Sequence, residues 1–247
     1  MKKWLIEFKS SAQPKARLFC FPFAGGGTVN YARWRDDLEP NLALYAFNFP
    51  GRERFFGEPC LSDYDGLIEQ CTLIINELSE LPLFLFGHSF GGLTAYFVAL
   101  RLQHRFGVKP AHIYISARVP PEENSEKLSV LADEEFKRVL IERYQGIPQV
   151  ILDNPDLLKL FIPIIKKDFY LYEQYVDLYT KAEQKIVDSS ITSFNFTEDK
   201  TNPQRIKLWK NYTSKNYTAL ELAGGHFAIQ QDWKAITEQI NQNFKAL

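Results

Sequence analysis

The stretch Leu83-Phe-Leu-Phe-Gly-His-Ser-Phe-Gly-Gly92 restricts this chain to few folds. Leu83 to Phe86 are apolar without a break, which reads as a strand buried on both faces, as in a parallel sheet covered by helices. Gly87-His88-Ser89-Phe90-Gly91 then fits G-x-S-x-G, and Leu93 to Leu100 continues as a helical run. Strand, tight turn and helix is the context in which this pattern builds a nucleophile elbow. The turn holds Ser89 in a strained conformation, with glycines at 87 and 91 leaving room for it. The hydroxyl then stands at the carboxyl end of the sheet, just before a helix N-terminus.

The chain on either side repeats the alternation. Arg17–Pro22 reads as the first central strand and runs into Phe23-Ala-Gly-Gly-Gly27. Ala43–Phe49 is a second strand. It ends in the turn Pro50–Arg54, where Arg52 is expected as a solvated loop residue rather than one facing a cleft. Ser62, with Asp65 three residues on, reads as the capped start of a helix. That helix carries Leu67, Cys71, Ile74, Ile75 and Leu78 on one face and ends near Leu81-Pro82. The elbow helix runs to about His104, and Ala111–Ser116 is another strand. This order is that of a doubly wound parallel sheet with right-handed crossovers.

Between Arg118 and about Ser189 the strand pattern stops. Asp133–Tyr144 reads as a helix with an acidic first turn. Asn154-Pro155 suits the cap and first position of another, which Pro163 is expected to end or kink. Phe169, Tyr172, Tyr175 and Tyr179 then recur at helical spacing. Residues 118–189 are therefore expected to form a helical lid over the carboxyl edge of the sheet. The aromatic stripe either lines an acyl channel or packs the lid onto the body. Residues 1–117 and 190–247 form the core, with strands at Ser190–Phe196 and Tyr217–Leu222. A closing amphipathic helix carries Trp233, Ile236, Ile240 and Phe244.

Composition removes several classes of function. The 247 residues are 45% hydrophobic and 24% charged, which suits one large α/β domain. With 29 basic and 30 acidic residues, the net charge of -1 calls for neither nucleic acid nor an anionic membrane. Cys20, Cys60 and Cys71 show no metal or redox spacing and read as reduced thiols of a cytoplasmic protein. The opening Met1–Lys9 has its apolar run broken by Glu7 and Lys9 and is not expected to be a signal peptide. No run approaches the length of a membrane span. No metal or cofactor is expected.

A serine hydroxyl is a weak nucleophile at neutral pH and needs a base within reach and an acid to orient that base. Of the 4 histidines, His226 follows a late strand beside Gly224 and Gly225, at the same sheet edge as the elbow. It also keeps the chain order serine, acid, histidine. His88 adjoins Ser89 in sequence and points elsewhere, as packing beneath the turn. Asp199, just past Ser190–Phe196, is the expected acid, with the adjacent Glu198 as the alternative. Asp188 precedes that strand and falls at its opposite end, and the acids after Ala111–Ser116, Glu122 and Glu123, lie beyond two prolines. Backbone N–H groups of Phe90 and of Phe23 or Ala24 are the candidates for an oxyanion hole.

Taken in order, Phe21-Pro-Phe-Ala-Gly-Gly26, Phe49-Pro-Gly-Arg-Glu-Arg54, Phe86–Gly92 and Gly224-Gly-His-Phe227 resemble the type II (external) thioesterases of nonribosomal peptide and polyketide synthesis. Ser116-Ala-Arg-Val-Pro-Pro121 and Asp168-Phe-Tyr-Leu-Tyr-Glu173 also fit that family. The resemblance spans residues 17 to 245. It implies an α/β-hydrolase fold, a mostly parallel central sheet flanked by helices, with a helical lid. It implies Ser89, Asp199 and His226 as catalytic residues. The implied substrate is an acyl or aminoacyl thioester on the 4′-phosphopantetheine arm of an acyl or peptidyl carrier protein, hydrolysed by a monomer to clear misprimed synthases. A small-ester hydrolase or acyltransferase of the same fold is the alternative. One departure stands out: the family has glycine three residues before the acid, where this chain has Phe196.

Overall fold

The computed structural model describes residues 2–121, 127–144, 152–179, 185–200 and 203–247. Among them, seven strands form one sheet: β1 (Leu5–Lys9), β2 (Ala16–Phe21), β3 (Leu42–Phe47), β4 (Leu83–His88), β5 (His112–Ser116), β6 (Ser190–Phe196) and β7 (Tyr217–Leu222). Their spatial order is β1-β3-β2-β4-β5-β6-β7. Every neighbouring pair is parallel except β1 with β3. From β2 the chain winds to one side, and from β4 it winds to the other. The direction reverses between β2 and β4, and a crevice outside the carboxyl ends of two such strands is where open α/β sheets bind ligands.

The helices are α1 (Val29–Ala32), α2 (Tyr64–Asn76), α3 (Phe90–Phe106), α4 (Asp133–Val139), α5 (Pro155–Tyr179), α6 (Pro203–Ile206) and α7 (Lys234–Lys245). Each central strand is buried on both faces because helices cover both. Phe19, Phe21, Leu83 and Leu85 pack with apolar residues of α2, α3 and α5. Leu18, Cys20, Phe84 and Phe86 pack instead with Trp34 and with Ile236 and Ile240 of α7. That double coverage is why β2 and β4 read as unbroken apolar runs rather than alternating ones.

β2 is the first central strand, as expected, but an antiparallel edge strand not expected from the sequence, β1, precedes it, although Ile6-Glu7-Phe8-Lys9 alternates apolar and polar residues as a strand does. The cap of α2 is Asp63, not Ser62. The Asp63 carboxylate accepts from the N–H groups of Asp65 and Gly66, at 3.0 and 2.9 Å, and α2 ends at Asn76, short of Leu81-Pro82. Pro163 does not end α5, which continues to Tyr179. Pro163 and Lys159, whose carbonyl loses its partner, both face solvent, where water can take that carbonyl. Asn154 caps α5 as expected, accepting from the N–H groups of Asp156 and Leu157. Glu122, Glu123 and the side chain of Tyr179 lie outside the described residues.

Candidate active site

The elbow is built as its sequence requires. Ser89 joins β4 to α3 with φ 54° and ψ −115°, a region that non-glycine residues enter at a cost of about 1–3 kcal/mol. Its N–H donates to the Ser116 carbonyl at 2.8 Å, and its own carbonyl accepts from Gly92 N–H at 3.0 Å. A side chain on Gly91 would collide with the carbonyl of Phe21 on β2, so the elbow closes only with glycine there. From Leu83 to Leu100 every residue is buried except Ser89. As the first residue of α3, Phe90 has an N–H with no helical carbonyl to meet.

The turns after β6 and β7 are zipped together. Thr197 N–H donates to the Leu222 carbonyl and Glu198 N–H to the Gly224 carbonyl, both at 2.9 Å. This seats Asp199 Oδ2 at 2.7 Å from His226 Nδ1, with the two side chains 1% and 2% exposed. Glu198 is exposed. Phe196 carries a hydrogen-bonded turn to Asp199 N–H at 3.1 Å and lies edge-on to the His88 ring, so the family's missing glycine leaves the Asp199–His226 contact in place. An imidazole whose Nδ1–H donates to a carboxylate presents Nε2 as its basic nitrogen.

His88 lies beneath His226, ring centroids 5.0 Å apart, with Nδ1 3.0 Å from Ser116 Oγ. Burial, reinforced by His226, holds its pKa well below the ordinary histidine range, so it stays neutral. His104 is exposed, and His112 bonds Thr192 Oγ1 at 2.8 Å at the far end of the sheet. Asp188 is also at that end, paired with Lys109 and Lys215.

The loop after β2 reaches the same edge. The Phe23 ring packs edge-on to His88 and Phe227, and its carbonyl accepts from Gly26 N–H at 2.8 Å. Gly25 has φ +72°, and a side chain on it would strike Ile165 of α5. Two carboxylates hold this loop. Asp168 of α5 accepts from Gly25 N–H at 2.8 Å. Glu53 accepts from Thr28 N–H, Thr28 Oγ1–H and Val29 N–H, and from Asn48 Nδ2–H at 2.6 Å.

Arg52, expected in solvent, is buried. Its guanidinium grips Asp168 with two bonds, at 2.7 and 2.9 Å, and a third reaches the Gly26 carbonyl at 3.4 Å. Burial disfavours the charged guanidinium, but the charge and hydrogen bonds of Asp168 outweigh it, leaving the Arg52 pKa above the ordinary arginine value. A charged residue amid the apolar positions Ile164, Ile165, Phe169 and Tyr172 was the available signal that Asp168 has a buried partner. Nothing in the sequence named Arg52 as that partner.

The two faces of α5 do different things. Phe169, Tyr172 and Tyr175 pack on Phe136, Phe90, Tyr64 and Phe97, so this stripe holds the helix to the body. Phe161, Ile164 and Ile165 instead wall a cavity of ≈ 470 Å³ with the glycine loop, Arg52, Phe56 and Gln230. The cavity meets the site through Phe23 and Ala24 and is not lined by Ser89 or His226. Among the described residues, no three His, Cys, Asp or Glu side chains are grouped to hold a metal ion, and no helix is long and apolar enough to cross a membrane.

Comparison with known proteins agrees with this fold. The chain is 30% identical to the medium-chain S-acyl fatty acid synthase thioesterase of Rattus norvegicus over 220 residues, covering 87% of this chain and 82% of the relative. It superposes on the type II thioesterase BorB of the borrelidin biosynthetic cluster with a TM-score of 0.83, at 25% identity and 97% coverage of both chains. The fold is also that of YbtT, a type II thioesterase from the yersiniabactin NRPS/PKS pathway, with a TM-score of 0.82, 24% identity and 98% of each chain covered. The thioesterase domain family matches residues 16–244, the span that holds the elbow, the glycine loop and the His226 turn, and the chain therefore belongs to that family of thioester hydrolases.

Proposed function

We propose that Ser89, His226 and Asp199 form a catalytic triad that hydrolyses acyl or aminoacyl thioesters carried on the 4′-phosphopantetheine arm of a carrier protein. One observation carries this reading: the half-buried elbow serine and the buried His226–Asp199 pair stand at the carboxyl ends of strands in one sheet. His226 Nε2 takes the Ser89 proton as Oγ attacks the thioester carbonyl. The N–H of Phe90, with that of Phe23 or Ala24, receives the oxyanion. As the tetrahedral intermediate collapses, the pantetheine sulfur leaves and takes a proton from His226. A thiolate leaves more readily than an alkoxide, so this step needs little acid assistance. His226 then deprotonates a water that attacks the acyl-serine, and the free acid departs with Ser89 restored. Asp199 holds the imidazole in the productive tautomer throughout. The reaction as written uses protein groups and water alone.

The apolar cavity beside the glycine loop is sized for an acyl chain, and α5 walls it through Phe161, Ile164 and Ile165, as a lid helix would. The kinship with thioesterases of carrier-dependent synthases supports a carrier-bound substrate and a clearing role. The test is to incubate the purified protein with phosphopantetheinylated carrier loaded with acetyl, aminoacyl or medium-chain acyl groups and follow it by intact-protein mass spectrometry. Unloading by the wild type and none by Ser89→Ala is expected. Turnover of simple soluble esters with loaded carriers left intact would instead favour a small-ester hydrolase.

A further inference from the structure

The glycine loop proposed to supply an oxyanion donor is held by more than its own Phe23–Gly26 turn. Gly25 takes a left-handed conformation, and its N–H is bound by Asp168, a residue 143 positions away on α5. Asp168 can accept that bond while buried because Arg52 neutralises it, and Arg52 also reaches the Gly26 carbonyl. The side chains of Arg52 and Asp168 are 6% and 3% exposed. Ile165, one turn before Asp168, fills the space over Gly25 that any side chain would need. Glu53 pins the far end of the loop from the turn after β3, but the end nearer Phe23 and Ala24 is held from α5. We propose that Arg52 and Asp168 are positioning residues that lock the glycine loop to α5, so that the oxyanion hole is complete only when α5 is seated on it. This rests on the reading of Phe23 or Ala24 N–H as an oxyanion donor.

The lock has a direct chemical consequence. A charge that develops in the transition state gains from donors already aimed at it, whereas the ground-state thioester carbonyl gains little. Loosening the Gly25 anchor therefore lowers kcat and leaves KM nearly unchanged. The variants are Asp168→Asn, Arg52→Lys and Arg52→Met, checked for native thermal unfolding. For Asp168→Asn and Arg52→Met, kcat on acyl carrier is expected to fall by about 100-fold, the scale of losing one oxyanion donor. Arg52→Lys, which keeps the charge without the two-pronged grip, should fall in between. Affinity for an alkyl boronic acid, which forms a tetrahedral adduct on Ser89, should drop in parallel. For Asp168→Asn, whose side chain does not line the cavity, affinity for a carrier bearing a non-hydrolysable amide should not change.

Variants that fold and keep wild-type kcat and boronate affinity overturn the lock while leaving the hydrolase reading intact. A wild type that unloads no carrier and binds no boronate overturns the hydrolase reading itself. Should the variants not fold, amide hydrogen exchange of the wild type decides. The Gly25 amide is expected to be protected as well as the amides of α5 around Asp168. Exchange at the rate of an open loop, with α5 still protected, contradicts the lock.

Discussion

The two halves of the candidate site are held in different ways. Ser89, Asp199 and His226 sit on tight turns at the ends of β4, β6 and β7, and backbone hydrogen bonds within and between those turns fix them. The facing half, the loop from Phe23 to Val29, has its own Phe23–Gly26 turn and is otherwise fixed by side chains from elsewhere: Asp168 on α5, Arg52 and Glu53 on the turn after β3. The three side chains thus belong to turns of the sheet, and the cavity beside them is walled by the glycine loop together with α5. The turns at the strand ends are tied to one another, while the Gly25 end of the loop depends on Asp168, 143 residues away.

That contrast is broken most severely by removing the side chains of the first half. Ser89→Ala and His226→Ala are each expected to lower kcat on acyl carrier by about 10⁶-fold with the fold intact. Asp199→Asn should cost about 10⁴-fold, because the wrong imidazole tautomer is then favoured, whereas Glu198→Gln should leave steady-state rates unchanged. A large loss for Glu198→Gln with little for Asp199→Asn would reverse the assignment of the acid. On the helical side, Tyr172→Ala should destabilise the protein by about 3 kcal/mol in urea unfolding, since the buried ring packs on Phe90 and Phe169. Ile164→Trp, on the cavity face of the same helix, should leave stability near wild type. It should cut kcat/KM for medium-chain acyl carriers about tenfold relative to acetyl carriers. Equal effects on both substrates would separate the cavity from acyl binding.

The smallest effect lies at the far end of the sheet. Burial lowers the His112 pKa to about 4, below its ordinary value of 6.5. Between those values the unfolded chain binds the proton and the folded one does not. The stability this neutral histidine provides is therefore full above pH 6.5 and is lost as the pH falls towards 4. His112→Gln should flatten that part of the profile, read as the difference in urea midpoint between about pH 7 and about pH 5. It should leave kcat untouched, because Ser89, Asp199 and His226 are at the opposite edge.

How far the sequence could be read follows the same division. The elbow was legible because its strand, turn and helix are contiguous, and His226 was legible because a glycine pair and a strand precede it. Asp199 against Glu198 was not decided by spacing; it took the pairing of two turns, which bury one carboxylate and expose the other. β1 was legible in principle, since Ile6-Glu7-Phe8-Lys9 alternates apolar and polar residues, but the run is short and lies at a sheet edge. Arg52 was misjudged because a charged residue in a Pro-Gly turn looks solvated, and its partner is 116 residues away. Ser62, with Asp65 three residues on, fits the capping-box pattern while Asp63, with Gly66 three residues on, does not, and only backbone geometry shows that Asp63 is the cap.

The account stands or falls on Ser89 as the nucleophile activated by His226. The direct measurement is peptide mapping by mass spectrometry after brief exposure to a fluorophosphonate, run on wild type and on His226→Ala. The account predicts a single adduct on the peptide that contains Ser89 in the wild type, lost or slowed at least a thousandfold in the variant. An adduct on another residue, or labelling of Ser89 at the same rate without His226, would contradict it.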